Sequence, residues 1–202
     1  MVKIAASLLA ADFSDLKNEI KRASEAGCEY LHLDVMDGVF VPNISFGSCV
    51  IKTLRPHSEM VFDTHLMIIE PERYIEKFAD AGSDIITFHY ESTKNVGNVI
   101  DLIHSFNKKA GISIKPATPV EVLFPYIEKL DMVLIMSVEP GFGGQAFMND
   151  MLEKISALRK EIDRLGLKTD IQVDGGINKI TSAYVRKAGA DIIVCGTAIF
   201  NA

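Results

Sequence analysis

The sequence predicts an α/β fold, a (β/α)8 (TIM) barrel, and three observations lead there. Apolar strand-like runs alternate with helical patterns from end to end, and the runs number eight. Runs such as Met132-Val133-Leu134-Ile135-Met136 are apolar throughout, as strands covered on both faces must be. Continuous alternation leaves a closed barrel or an open doubly wound sheet, and the count of eight favours the barrel. The glycine fingerprint of a dinucleotide-binding open sheet is also absent, since Leu8 to Phe13 holds no glycine.

The first strand is Lys3–Leu9. It is followed by a helix marked by Leu16, Ile20 and Ala23 at i, i+4 and i+7, with Asp12 or Ser14 as its cap. Strands at 30–36, 60–67, 85–89, 111–115, 132–138, 170–174 and 191–195 complete the eight, and helices fall between them at 48–54, 71–81, 96–108, 119–130, 150–165 and 179–188. Three helices hand over to a strand with one phrase: Ala26-Gly27-Cys28-Glu29, Ala81-Gly82-Ser83-Asp84 and Ala188-Gly189-Ala190-Asp191. Glycine there suits the left-handed residue that ends a helix. The phrases begin 55 and then 107 residues apart, close to one and two multiples of a two-unit βαβα period.

One domain, 1–202, is expected, because 202 residues at 48% hydrophobic supply one core. A net charge of -6 and the lack of a run of basic residues exclude a nucleic-acid arm. Ile4–Ala11 is too short for a leader and is cut off by Asp12, and no stretch reaches the ~18 apolar residues of a membrane span. Cys28, Cys49 and Cys195 are odd in number and unpaired in spacing, so they read as reduced core thiols of a cytoplasmic protein.

In such a barrel the chemistry lies where strands end, which singles out Ser7, His32, Asp34, His65 and Asp174. His32 and Asp34, two apart on a strand, share a face opposite Leu31, Leu33 and Val35. That face is the barrel interior, where an unpaired carboxylate is costly and a divalent cation would compensate it. Two imidazoles and two carboxylates from His32, Asp34, His65 and Asp174 form a mixed set suited to one Zn(II), Fe(II), Mn(II) or Co(II) ion. The alternative is four polar residues hydrogen-bonded separately. His89 ends the fourth strand and could support the ligands from behind; His57 and His104 read as surface groups. Gly141-Phe142-Gly143-Gly144 follows the sixth strand, Gly175-Gly176 the seventh and Gly196-Thr197 the eighth, the loops in which this fold binds phosphate.

His32-Leu33-Asp34-Val35-Met36-Asp37-Gly38, Asp63-Thr64-His65-Leu66-Met67, Val138-Glu139-Pro140-Gly141-Phe142-Gly143-Gly144 and Val173-Asp174-Gly175-Gly176-Ile177 resemble the signatures of the ribulose-phosphate 3-epimerase family, from about Lys3 to Phe200. Ala6, Val39 and Cys195-Gly196-Thr197 depart from its usual pattern. The resemblance implies epimerisation of a ketose phosphate at C3 through an enediolate. Asp34 and Asp174 would exchange the proton, Ser7 and His65 would contact substrate, and the glycine loops with Thr197 would cradle its phosphate. Met36, Met67 and Met136 are core filling or, on the family's pattern, line the planar intermediate. A six-carbon ketose phosphate and a binding protein without turnover remain alternatives. The resemblance also leads one to expect the last outer helix to be truncated or absent, leaving Ile4, Ile192 and Val194 uncovered unless a homo-oligomer covers them.

Overall fold

The computed structural model describes residues 2–200. Eight parallel strands close into a barrel in sequence order: β1 (Lys3–Ser7), β2 (Tyr30–Met36), β3 (Val61–Met67), β4 (Ile85–His89), β5 (Lys109–Ile114), β6 (Met132–Met136), β7 (Asp170–Asp174) and β8 (Ile192–Cys195). β8 closes on β1 with Ala5 beside Val194. Each strand is followed by a helical cover. These are α1 (Leu16–Glu25), α2 (Ser48–Leu54), α3 (Ile75–Asp80), α4 (Val96–Ser105), a 3-10 helix (Val120–Lys129), α5 (Met151–Leu165), α6 (Thr181–Ala188) and α7 (Thr197–Phe200).

Two apolar layers hold it together. The larger lies between strands and helices and contains Leu31, Leu33, Val35, Phe62, Ile86 and Phe88 with Ile20, Ile51, Ile100 and Leu158. The smaller fills the bottom of the barrel with Ala5, Tyr30, Ile85, Met132, Ile192 and Val194. Above it the interior turns polar, with Asp63, Thr87, Ser113 and Gln172 all fully buried.

The glycines of the three repeated phrases have φ of +83°, +100° and +116° at Gly27, Gly82 and Gly189. The last two share a further device. Arg55 bonds Asp84 at 2.9 Å while Asp84 accepts the N–H of Phe62, and four strands on Arg159 bonds Asp191 at 2.5 Å while Asp191 accepts the N–H of Ile171. A Cβ on either glycine would run into the stem of that arginine.

Four expectations need correction. The segment at 119–130 is a 3-10 helix, because Pro125 lies inside it and removes the N–H an α-helix would need. Helix α1 has neither predicted cap: Asp15 precedes it and its carboxylate accepts from the Asn18 side chain rather than from a helix N–H, and Asp12 instead accepts the N–H and hydroxyl of Ser14 in a turn. Ile192 and Val194 point into the barrel, on the face shared with Ala5 and Tyr30, so the outward residues of β8 are Ile193 and Cys195. Ile4 does face outward and packs against the larger layer. Cys49 is exposed on α2 rather than in the core, and all three thiols are free.

Candidate metal centre and substrate cavity

His32, Asp34, His65 and Asp174 offer one ligand atom each within 4.8 Å of one another. β2 supplies the first two, β3 the third and β7 the last, at the open end of the barrel. His32 is fixed from behind. Its Nδ1 lies 2.7 Å from Asp63 Oδ2, which also accepts Gln172 Nε2 at 2.7 Å from across the barrel. A carboxylate accepts, so Nδ1 carries the proton and Nε2 faces the cluster. Nε2 is fully buried without a hydrogen-bond partner, 3.3 Å from Asp34 Oδ1 and 3.8 Å from Asp174 Oδ2. An orphaned buried nitrogen between two carboxylates is the donor a divalent cation uses, so these residues fit such an ion.

Asp34 is almost completely buried. Ser7 Oγ donates to its Oδ2 at 2.8 Å, and His65 Nδ1 is 3.0 Å from its Oδ1. Burial opposes its charge, but the His32 and His65 rings beside it outweigh burial and hold the carboxyl far below the usual range. Asp174 goes the other way: burial, and then the charge of Asp34, push it up to about 6. His32 is raised well above an ordinary imidazole, because Asp34 and Asp63 overcome the cost of burying its charge. The metal-free cluster is thus balanced by protons that a cation would displace.

A cavity of about 610 Å³ opens above the cluster. Its walls include Ser7, Asp34, Met36, Met67, Met136, Asp174, Gly141, Phe142, Gly143, Gly144, Gly175, Gly176, Gly196 and Thr197. Every residue expected at the site therefore lines one space, except His32 and His65, which lie beneath the carboxylates. His65 has no exposed surface and does not line the cavity, so the direct contact with substrate expected of it is not open to it here. The loops after β6 and β7 touch: a Cβ on Gly176, at φ +63°, would lie 2.3 Å from the backbone nitrogen of Phe147. Asn43 ties the loop after β2 to the same wall by donating to the carbonyl of Gly141 at 2.8 Å.

This constellation can be set beside known proteins. The model of the ribulose-phosphate 3 epimerase family matches residues 3–200. The chain belongs to the ribulose-phosphate 3-epimerase family. Within that family it is 49% identical over 203 residues to the ribulose-phosphate 3-epimerase of Schizosaccharomyces pombe, covering 99% of this chain and 87% of the relative. It is 45% identical to that of Bacillus subtilis, covering 100% and 93%. It is also 45% identical to the cytoplasmic isoform of Oryza sativa, covering 99% and 88%. Among solved structures, 3-hexulose-6-phosphate synthase superposes with a TM-score of 0.72 at 16% identity, covering 100% of this chain and 93% of that one. A tryptophan synthase alpha-subunit from Pyrococcus furiosus gives 0.71 at 16%, covering 100% and 91%. At that identity the two structures share the barrel fold. The chain is an enzyme of the epimerase family. Among the described residues no helix is long and apolar enough to cross a membrane.

Residue-by-residue reading of the sequence missed Asp63, Gln172 and Glu91. Asp63 stands two residues before His65 and so shares its face, a signal that alternation carries. Gln172 precedes Asp174 in the same way. Glu91 lies past the end of β4 and meets its partners only through the fold. His89, expected behind the ligands, stacks on His65 with ring centroids 5.0 Å apart. His57 and His104 are exposed, as expected, with His104 Nε2 3.1 Å from Asp131.

Proposed function

We propose that this enzyme interconverts D-ribulose 5-phosphate and D-xylulose 5-phosphate by moving the proton at C3 through an enediolate. The observation that carries the reading is a pair of carboxylates, Asp34 and Asp174, facing one cavity from β2 and β7 with their proton affinities driven apart. Such a split is what an acid and a base working together require. Asp34, ionised, accepts the C3 proton; Asp174, holding a proton, returns one to the opposite face; in the reverse direction they exchange roles. Ser7 keeps Asp34 in place through Oδ2 and presents its remaining lone pair to a substrate hydroxyl.

His32, Asp34, His65 and Asp174 would hold one divalent cation, Zn(II), Fe(II), Mn(II) or Co(II), which as a Lewis acid supplies stabilisation of the negative charge that develops on the C2 and C3 oxygens. The phosphate falls to the far end of the cavity, against Gly143, Gly144, Gly176, Gly196 and Thr197. Helix α7 starts at Thr197, so the N–H groups of Thr197 and Ala198 have no helical partner and are available to the phosphate. Met36, Met67 and Met136 give the planar intermediate a soft, apolar wall that excludes water.

A coupled assay with ribulose 5-phosphate, run after chelation and again after adding back a single metal, tests the reading. We expect chelation to abolish turnover and add-back to restore it. Full activity in protein shown by elemental analysis to be metal-free would sink the metal assignment, and no turnover with any of the four metals would sink the substrate.

A further inference from the structure

The glycine loop after β6 has little of its own to hold it. Phe142, Gly143 and Gly144 are exposed, and a Cβ on either glycine would meet nothing within 4 Å. Gln145 ties the loop only to itself, donating through Nε2 to the carbonyls of Glu139 at 2.7 Å and Phe142 at 2.9 Å. Its far end is fixed, since the N–H of Met148 donates to the carbonyl of Ser137 at 3.0 Å and Phe147 lies on Gly176. Its near end, Gly141, is fixed from across the mouth of the barrel.

The support comes from the segment after β2, a strand that lies opposite β6 in a closed order of eight. The segment is a small hairpin in which Asp37 pairs with Ile44. Asp37 accepts the N–H groups of Val39 and Phe40, both at 2.8 Å, and of Ile69 at 2.9 Å. Ser45 donates to the carbonyl of Asp34 and accepts the N–H of Met36, so the hairpin is rooted on the backbone of the proton-accepting residue itself. At the tip, Val41 packs with Met36 and Met67 and comes 3.2 Å from the Cβ position of Gly141. Asn43 Nδ2 donates to the Gly141 carbonyl at 2.8 Å, the only hydrogen bond between the two loops among the described residues. Its Oδ1 accepts the N–H of Ile44 at 2.9 Å. A backbone N–H can only donate and a carbonyl only accept, so the two partners fix which way the amide faces. We propose that Asn43 is a positioning residue for the phosphate loop, keeping Gly143 and Gly144 assembled over the cavity before substrate arrives and in fixed relation to Asp34. A loop assembled only part of the time weakens apparent affinity by that fraction. Bound phosphate assembles the loop in any case, so the effect falls on binding rather than on turnover. The proposal rests on the reading above that these glycines receive the phosphate.

Two variants separate holding the loop from making the turn. Asn43→Asp keeps an oxygen for the N–H of Ile44 but turns a group that cannot donate toward the Gly141 carbonyl. Asn43→Ala removes both bonds without adding charge near the phosphate loop. In ligand-free protein, ¹⁵N relaxation should show the backbone order parameters of Gly141, Gly143 and Gly144 falling in both variants, toward the ~0.6 below which a backbone is flexible. Those of Val39 and Phe40, held by Asp37, should stay. In steady-state assays N43A should raise the KM for ribulose 5-phosphate and the inhibition constant of inorganic phosphate by the same factor, about 3- to 10-fold, the worth of one ordinary hydrogen bond, while kcat is kept. A variant that is merely less well folded would lower kcat and leave both constants alone. Wild-type order parameters in N43D would mean that the amide only makes the turn, and would overturn the proposal. So would a fall in kcat with KM and phosphate inhibition unchanged. If the order parameters fall as expected while inorganic phosphate neither binds the wild type in a calorimetric titration nor competes with substrate, the phosphate reading fails and Asn43 still stands as the residue that holds this loop.

Discussion

Asp34 and Asp174 face the same cavity, and what separates them is their partners. Asp34 is surrounded by a serine hydroxyl and two imidazoles, whereas Asp174 answers mainly to burial and to the charge of Asp34 itself. Replacing either by asparagine keeps the shape and removes the proton-carrying group, so Asp34→Asn and Asp174→Asn should each lose at least ~10²-fold in turnover. Exchange in heavy water separates the two roles: a variant with one working carboxylate should wash label into one epimer without converting it to the other. Near wild-type epimerisation by either variant would end the two-carboxylate mechanism. The same logic applies behind the ligands. Asp63→Ala would leave His32 Nδ1 without its acceptor, and zinc affinity should fall by about 10- to 100-fold, read by chelator competition; an unchanged affinity would show that the ring is held without Asp63. The inward ligands were legible because alternation along β2, β3 and β7 decides which side chains share a face. Glu91 was not, because its partners come from β4 and from the loop after β5, and nothing local in the sequence marks that meeting.

Glycine at an element's end has two separable reasons, and the loops around the cavity show both. Gly176 combines a left-handed backbone with a Cβ position occupied by Phe147, so two loops can touch only if that residue lacks a side chain. Gly143 sits in open space, with nothing within 4 Å of its Cβ position. Gly176→Ala should therefore cost roughly 1–3 kcal/mol of stability and weaken binding of inorganic phosphate, while Gly143→Ala should leave the melting curve unchanged. Equal melting of the two variants would show that the loops rearrange without cost. The sequence marked both as phosphate-loop glycines without telling them apart, since the difference lies in a neighbour from another loop. Pro125 gives the opposite lesson. Periodicity over Val120, Leu123 and Ile127 matches their burial, yet a proline in the middle decides that the turn is 3-10. The parity of β8 was misjudged because Ile192-Ile193-Val194-Cys195 is apolar on both faces and offers no polar residue to mark the inside.

At the scale of the whole barrel, the repeated phrases and the arginine–aspartate pairs tie the entrance of β4 and of β8 in one way, and the candidate metal centre ties the opposite ends of β2, β3 and β7. In a closed order of eight, β3 and β7 face each other, and the hydrogen bond from Gln172 to Asp63 already spans that diameter. A cation on His32, Asp34, His65 and Asp174 would add a second tie across it, made only in the folded chain because its four ligands are drawn together from three strands. Ligand binding to the folded state alone stabilises it by about 2.7 kcal/mol at a hundredfold excess over Kd. For a chain of this length each kcal/mol moves the melting temperature by roughly 2–4 °C, so saturating zinc should raise it by about 5–11 °C over protein in chelator. Asp34→Asn and Asp174→Asn each remove a charged ligand and should flatten that response, whereas Gly143→Ala, on the cavity wall and away from the cluster, should keep it. A wild-type melting temperature that is the same in chelator and in zinc would mean that the four side chains hold no cation strongly enough to matter to the fold, and the charge balance of the cluster would then rest on its protons.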